Sequence, residues 1–147
     1  MKEFTVRQNE IIDVSIKIIA EKGIQQLTIK NISNNINISE PAIYRHFASK
    51  MDILLAILSN FKQYSHTFST DILLHKTSAL EKINAILENH FKQFAAKPAL
   101  AAVVFSEEIF QNDKELAKQV ALIMQTNQDM IIKIIKQGQK NEEIRND

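Results

Sequence analysis

Cysteine is absent from this chain of 147 residues, and glycine and proline occur only twice each. Without cysteine there is no disulfide, no thiolate metal site and no cysteine nucleophile, which fits a reducing, cytoplasmic setting without requiring one. So few Gly and Pro leave little room for the tight turns of a many-stranded sheet, and long helices become the default. The start, MKEFTVRQNEIID, has no apolar run behind a basic segment, so no signal peptide is visible. Every apolar stretch is cut by charges, so no membrane-spanning helix is expected. Charge of one sign is also lacking, since the formal net charge is +1. Residues 1–50 hold seven Lys/Arg against five Asp/Glu, a surplus of two, and the rest holds eleven against twelve. A nucleic-acid surface must then be a local patch rather than a global field. No phosphate-binding Gly loop, no G-x-S-x-G and no plausible triad is found. No pair of histidines is spaced i, i+4, so a metal site is not expected either. An enzyme therefore has no supporting residues, and no cofactor is implied.

What the chain has is apolar spacing. Hydrophobic residues make up 45% of it, with isoleucine dominant. Isoleucine leans toward strands, but periodicity outranks propensity, and the spacing is helical almost throughout. A first helix is expected over residues 5–22, with Ile12, Ser15, Ile16 and Ile19 on one face and Gly23 as its stop. Thr28 caps a second helix over 28–35, with Ile29 and Ile32 inward and a turn at Asn34–Asn37. Ser39 caps a third, with Pro41 in its first turn and its end near Phe47. Ser49 and Asp52 read as a capping box for a long fourth helix with a stripe of Leu54, Ile57, Leu58, Phe61 and Phe68. Ser78 and Glu81 read as another, for a fifth helix with Leu80, Ile83, Leu87, Phe91 and Phe94 on one side. Pro98 opens a sixth helix to about Phe110. Asn112, with Glu115, opens a seventh that carries Leu116, Val120, Ile123, Met130 and Ile134 and stops at Gly138. Ile131, Ile132, Ile134 and Ile135 make its end apolar over most of its circumference, as expected of a helix buried on several sides or against another chain.

Three short helices in some forty residues, the third opening with Ser and Pro, suggest a helix-turn-helix. Ile38, Ile43 and Phe47 can anchor the third helix against Ile12, Ile19 and Ile32, leaving Glu40, Ala42 and Arg45 outward. Arg45 can donate to guanine in a bidentate way, Glu40 can accept from cytosine N4, and Ala42 can meet a thymine methyl. Tyr44, His46 and Lys50 offer donors to phosphates. Lys50 also lies in the first turn of the fourth helix, where N–H groups attract an anion. Thr28 is a similar phosphate candidate, with Ser39 beside the motif and Lys30 a weaker contributor. The plainer readings are that Tyr44 is a core aromatic, Glu40 only a dipole partner and Lys30 a solvated charge.

The strings I-I-D at Ile11–Asp13, A-E-K-G at Ala20–Gly23, T-I-K-N-I at Thr28–Ile32 and I-S-E-P-A-I-Y-R-H-F-A-S-K at Ile38–Lys50 resemble the TetR (tetracycline-repressor-like) family of transcriptional regulators. The resemblance implies DNA-contact roles for Thr28, Pro41, Tyr44, His46 and Lys50. Asn37 stands where the family usually has Gly, Ser15 where it has a small Ala, and Met51 where an acidic residue is common. Asn is the next best residue for positive φ, and Ser15 is tolerable if its hydroxyl bonds back to its helix. The family usually continues beyond Ile144-Arg145 into two more helices that pair subunits. That implies either a chain truncated before its last helices or pairing by another surface.

The remainder is less readable. His90 borders the apolar stripe of the fifth helix and Asn127 lies on that of the seventh. A polar group on an apolar face needs a partner. A small apolar ligand could be that partner, with Phe61, Tyr64, Phe94, Met124 and Gln128 as walls, although a satisfied interhelical hydrogen bond is favoured. The expected fold is all-α: a three-helix head over residues 1–50 and a helical ligand-sensing and pairing bundle over 51–147. The expected function is sequence-specific binding to a double-stranded DNA operator by a homodimer, as a repressor released by a small molecule. The alternative is a helical protein-interaction module that keeps the head's shape without binding DNA.

Overall fold

The computed structural model describes residues 4–105 and 113–146; within them the side chains of residues 64–67, 69 and 100 lie outside the description. Every regular element among the described residues is a helix. The first, α1, spans Val6–Lys22. Thr5 caps it in a reciprocal box: the Thr5 side chain accepts from the Gln8 N–H, and the Gln8 side chain accepts from the Thr5 N–H. Gly23 ends it at φ 84°, a backbone that only glycine adopts without strain. A single 3-10 turn, Ile24–Gln26, leads to α2, Ile29–Ile36, capped by the Thr28 side chain. Helix α3 is short, Glu40–Tyr44, and α4 is long, Lys50–Leu74. Helices α5 (Ala79–Ala96) and α6 (Pro98–Val104) follow, and α7 runs Lys114–Lys140.

Two apolar cores hold these helices. The larger joins Ile11, Ile12, Ile18 and Ile19 of α1 to Ile32, Ile43 and Phe47, to the first half of α4, to Val103 and Val104 of α6 and to Leu116, Val120 and Ile123 of α7. Ser15 is fully buried within it, and its hydroxyl donates to the Ile11 carbonyl at 2.7 Å, as the sequence requires of a serine there. The smaller core sits at the far end, where Ala79 and Ile86 of α5 meet Met130 and Ile134 of α7, with Phe68 and Ile83 packed against them. Since α4 runs from one core to the other, it is the rigid link between the two ends.

Several boundaries differ from the sequence reading. Helix α3 ends at Tyr44 rather than near Phe47; a tight turn follows, in which the His46 and Phe47 N–H groups both donate to the Ile43 carbonyl. The Ser39 side chain makes no capping bond. Ser49 does cap α4, accepting from the Asp52 N–H at 3.1 Å, but the reciprocal bond of a capping box is not formed, since Asp52 is one methylene shorter than the usual Glu. The cap of α7 is Asp113, which accepts from the Leu116 N–H at 2.8 Å. The sixth helix, expected to run to about Phe110, ends at Val104 with Phe105 as its C-cap, and the proposed cap Asn112 lies outside the described residues. On α5, Leu80, Leu87 and Phe91 are exposed, and the buried residues are Ala79 and Ile86, each one position before a stripe residue and so about 100° round the helix from it.

Gly138 does not stop α7, which continues to Lys140. It is buried, and a Cβ built there would stand 2.6 Å from Ala79 Cβ and 2.9 Å from Ile144 Cδ1. The glycine therefore serves close approach of α5 to α7, not termination. The corner is tied by the Glu143 carboxylate, which accepts from the Ala79 N–H at 2.5 Å. That bond holds the Glu143 carboxyl below the usual carboxylate range. Its contribution to stability is present above the unfolded-state pKa and fades as pH falls through the folded one. Gly138→Ala is expected to lower stability by about 1 kcal/mol, because overpacking outweighs the helical gain of alanine. Thermal unfolding measures this directly; an unchanged or higher Tm would mean that the corner gives way easily.

Candidate nucleic-acid interface

The interface is built from α2, the turn after it, α3 and the start of α4. The Thr28 hydroxyl accepts from the Asn31 N–H at 3.0 Å, which fixes the start of α2 and leaves its own O–H available to donate. At the other end Asn37 adopts φ 54°, ψ 43°, and its N–H donates to the Ser33 carbonyl. This left-handed residue turns the chain between α2 and α3 where glycine would otherwise be needed. The Ile38 N–H also donates to the Ser33 carbonyl, at 3.2 Å, which closes the turn.

Helix α3 divides cleanly. Ile43 is fully buried, and Phe47 is almost so. On the other side Glu40, Pro41 and Arg45 are exposed, and Tyr44 is 51% exposed, too open for a core aromatic. Ala42 and His46 are half-buried, and so is Lys50 in the first turn of α4. Thr28, Lys30 and Ser39 are exposed. The ten DNA-contact residues named from sequence thus all retain accessible surface, on consecutive segments from Thr28 to Lys50. Arg45 sits one residue past the helix, in the C-cap, so its side chain leaves from the turn rather than the helix body.

The sequence reading missed the brace behind α3. Gln8 of α1 donates its side-chain N–H to the His46 carbonyl at 3.2 Å, while its oxygen completes the Thr5 cap. The Phe4 ring lies 6.4 Å from the Phe47 ring. The start of α1 therefore clamps the turn carrying Arg45 and His46, and a groove of about 470 Å³ opens between Phe4, Gln8, Phe47, Asp52 and Leu55. The Thr5-x-x-Gln8 box was readable, but nothing in sequence tells which carbonyl the second amide proton will meet.

The ligand residues named from sequence are brought together only in part. The Phe94 ring lies 5.9 Å from Phe61 and 6.5 Å from the half-buried His90, and Phe105, not foreseen, adds a ring 6.0 Å from Phe94. Burial holds the His90 pKa below the usual histidine range, so the ring stays neutral more readily than in water. Met124 and Gln128 are exposed on α7 and join neither core, while Asn127 is half-buried. The Tyr64 side chain lies outside the described residues. Among the described residues no cluster of His, Asp or Glu could hold a metal ion, and no helix is long and apolar enough to cross a membrane.

Two family patterns match the chain: "bacterial regulatory proteins, tetR family" over residues 11–57, and "YsiA-like protein, C-terminal region" over residues 45–147. The fatty acid metabolism regulator protein of Bacillus subtilis (strain 168) is 27% identical over 146 residues, covering 99% of this chain and 74% of that protein. The solved structure of the transcriptional regulator FadR from Bacillus subtilis in complex with stearoyl-CoA aligns with TM-score 0.74 and 28% identity, over 93% of this chain and 73% of that one. The ketosteroid transcriptional regulator KstR2 of Mycobacterium tuberculosis aligns with TM-score 0.80 at 18% identity, over 95% of this chain and 71% of that one, and so shares the fold.

Proposed function

The chain belongs to the tetR family of bacterial regulatory proteins and is a transcriptional regulator, and from that premise we propose that a cytoplasmic homodimer of it reads an operator through α3 and is released by an acyl ligand. The proposed DNA-binding unit is residues 1–50 and the proposed sensing and pairing unit 51–147. Arg45, Glu40 and Ala42 face base edges; Thr28, Lys30, Ser39, Tyr44, His46 and Lys50 hold phosphates; Pro41 shapes the first turn. The single observation carrying this is the split of α3, with Ile43 locked in the core while Tyr44 and Arg45 stand in solvent.

The ligand class follows from the regulator that binds stearoyl-CoA and from this chain's own aromatic cluster. Phe61 and Phe94 suit an acyl chain, and neutral His90 suits a carbonyl as hydrogen-bond donor. Two half-sites lie about 34–36 Å apart on one face of a duplex. A ligand that prefers another head separation lowers operator affinity by linkage, with α4 as the lever between the cores.

A salt titration on a duplex from the gene's own upstream region tests the DNA reading. Lys30 and Lys50 from two subunits give about four phosphate contacts, so affinity should fall about a hundredfold between ~50 and ~200 mM salt. Negligible duplex affinity at low salt for a demonstrated dimer would rule the operator reading out.

A further inference from the structure

Gln8 meets the reading head from behind, through one amide with two employments. Its oxygen accepts from the Thr5 N–H at 3.0 Å, a local bond that closes the cap of α1. Its N–H donates to the His46 carbonyl at 3.2 Å, across thirty-eight positions of chain. The corner that carries Gln8 is held by bonds between near neighbours. The Gln8 N–H donates to the Thr5 hydroxyl at 3.2 Å, and the Asn9 side chain donates to the Phe4 carbonyl at 3.2 Å. Gln8 is therefore preorganised on the first turn of a seventeen-residue helix whose inner face is core.

The segment it reaches has less support of its own. Helix α3 ends at Tyr44, so Arg45 and His46 lie past its last turn. The His46 and Phe47 N–H groups share the Ile43 carbonyl, at 2.9 and 3.1 Å, which places the donors of the turn. The Gln8 amide places an acceptor, the His46 carbonyl, and with it the peptide plane between His46 and Phe47. Arg45 is exposed and its side chain is long, so a small rotation of this turn moves the guanidinium much further than the backbone. A site works only while its supporting bonds hold the contacting group within about 10–20° of the productive direction. Gln8 itself is half-buried with both ends of its amide engaged, which suits it to holding backbone and not to meeting a base edge.

We propose that Gln8 is a positioning residue for base reading: by holding the His46 carbonyl it fixes the turn from which Arg45 leaves, and so sets how sharply Arg45 tells one base from another. This deepens the operator reading above and rests on it.

Two substitutions separate the brace from the cap. Gln8→Glu keeps an acceptor for the Thr5 N–H, since capping boxes accept either residue, and loses the donor to His46. Gln8→Met has a similar length and neither polar group. Because Gln8 is half-buried at the surface, neither change opens the core, and circular dichroism checks that helicity is kept. Affinities for the preferred duplex and its single-base variants are measured by competition, and their ratio cancels any uniform effect of the Glu charge. Both substitutions should lower discrimination at the base pair read by Arg45 about tenfold, within what one bidentate contact supplies. Preference at the pairs read by Glu40 and Ala42, earlier on α3, should stay. In an Arg45→Ala background neither substitution should lower discrimination further, because the brace then has nothing left to position. Full discrimination in Gln8→Glu, a loss confined to Gln8→Met, or an even loss at every base pair would each overturn the proposal. An unsubstituted chain without base preference sinks the operator reading itself, whereas a preference that survives both substitutions sinks the role of Gln8 alone.

Discussion

Ile43→Ala is expected to lower the unfolding free energy by about 2–5 kcal/mol and to weaken operator binding with it. Ile43 has no exposed surface and belongs to the larger core, together with Ile12, Ile19, Ile32 and Phe47. Its backbone carbonyl also accepts from both the His46 and Phe47 N–H groups. With only five helical residues, α3 has too few internal hydrogen bonds to hold itself, so its shape depends on that one anchor. Denaturant unfolding measures the first effect. The second is read as a drop in duplex affinity that persists where the variant remains folded. If Ile43→Ala kept full duplex affinity, α3 would be self-supporting and the buried side chain would not govern its presentation.

How much of this was legible in sequence depends on whether one residue type had one available role. Ile12 and Ile19 recur at helical spacing on a helix with a single apolar face, so periodicity identified them. Thr28 and Ser78 precede helices with few competing partners, and both side chains cap. Asn37 had to take positive φ between two helices and does. Helix α5 failed because it bears two apolar lines, Leu80–Leu87–Phe91 and Ile83–Ile86, and periodicity cannot choose which one turns inward. Gly138 failed because glycine ends helices and also lets them approach, and only the position of Ala79 decides between the two. Leu27, fully buried in the short link before α2, belongs to no periodic run and was invisible for that reason. In the proposed interface, the inward turn of Ile43 and Phe47 and the exposure of Glu40, Tyr44 and Arg45 were legible because residue types and spacing form a compact string. The Gln8 brace was not, since it spans thirty-eight positions.

The strongest functional contrast separates Arg45 from Lys50. Arg45 leaves the turn at the end of α3, exposed, with a planar fork that matches guanine O6 and N7. Lys50 lies in the first turn of α4, half-buried, and carries a point charge suited to a phosphate beside free helix N–H groups. Arg45→Ala is therefore expected to cost about 1–3 kcal/mol on the preferred operator and to erase discrimination at one base pair of each half-site. Lys50→Ala should weaken all duplexes by a similar factor while keeping the preference, and should reduce the salt slope by about 2 for a dimer. Competition binding against single-base operator variants at two salt concentrations distinguishes the two signatures. If Arg45→Ala lowered affinity evenly across sequences while Lys50→Ala changed the preferred base, the turn after α3 would hold the backbone and α4 would do the reading. In that case the groove-facing element would have to be reassigned.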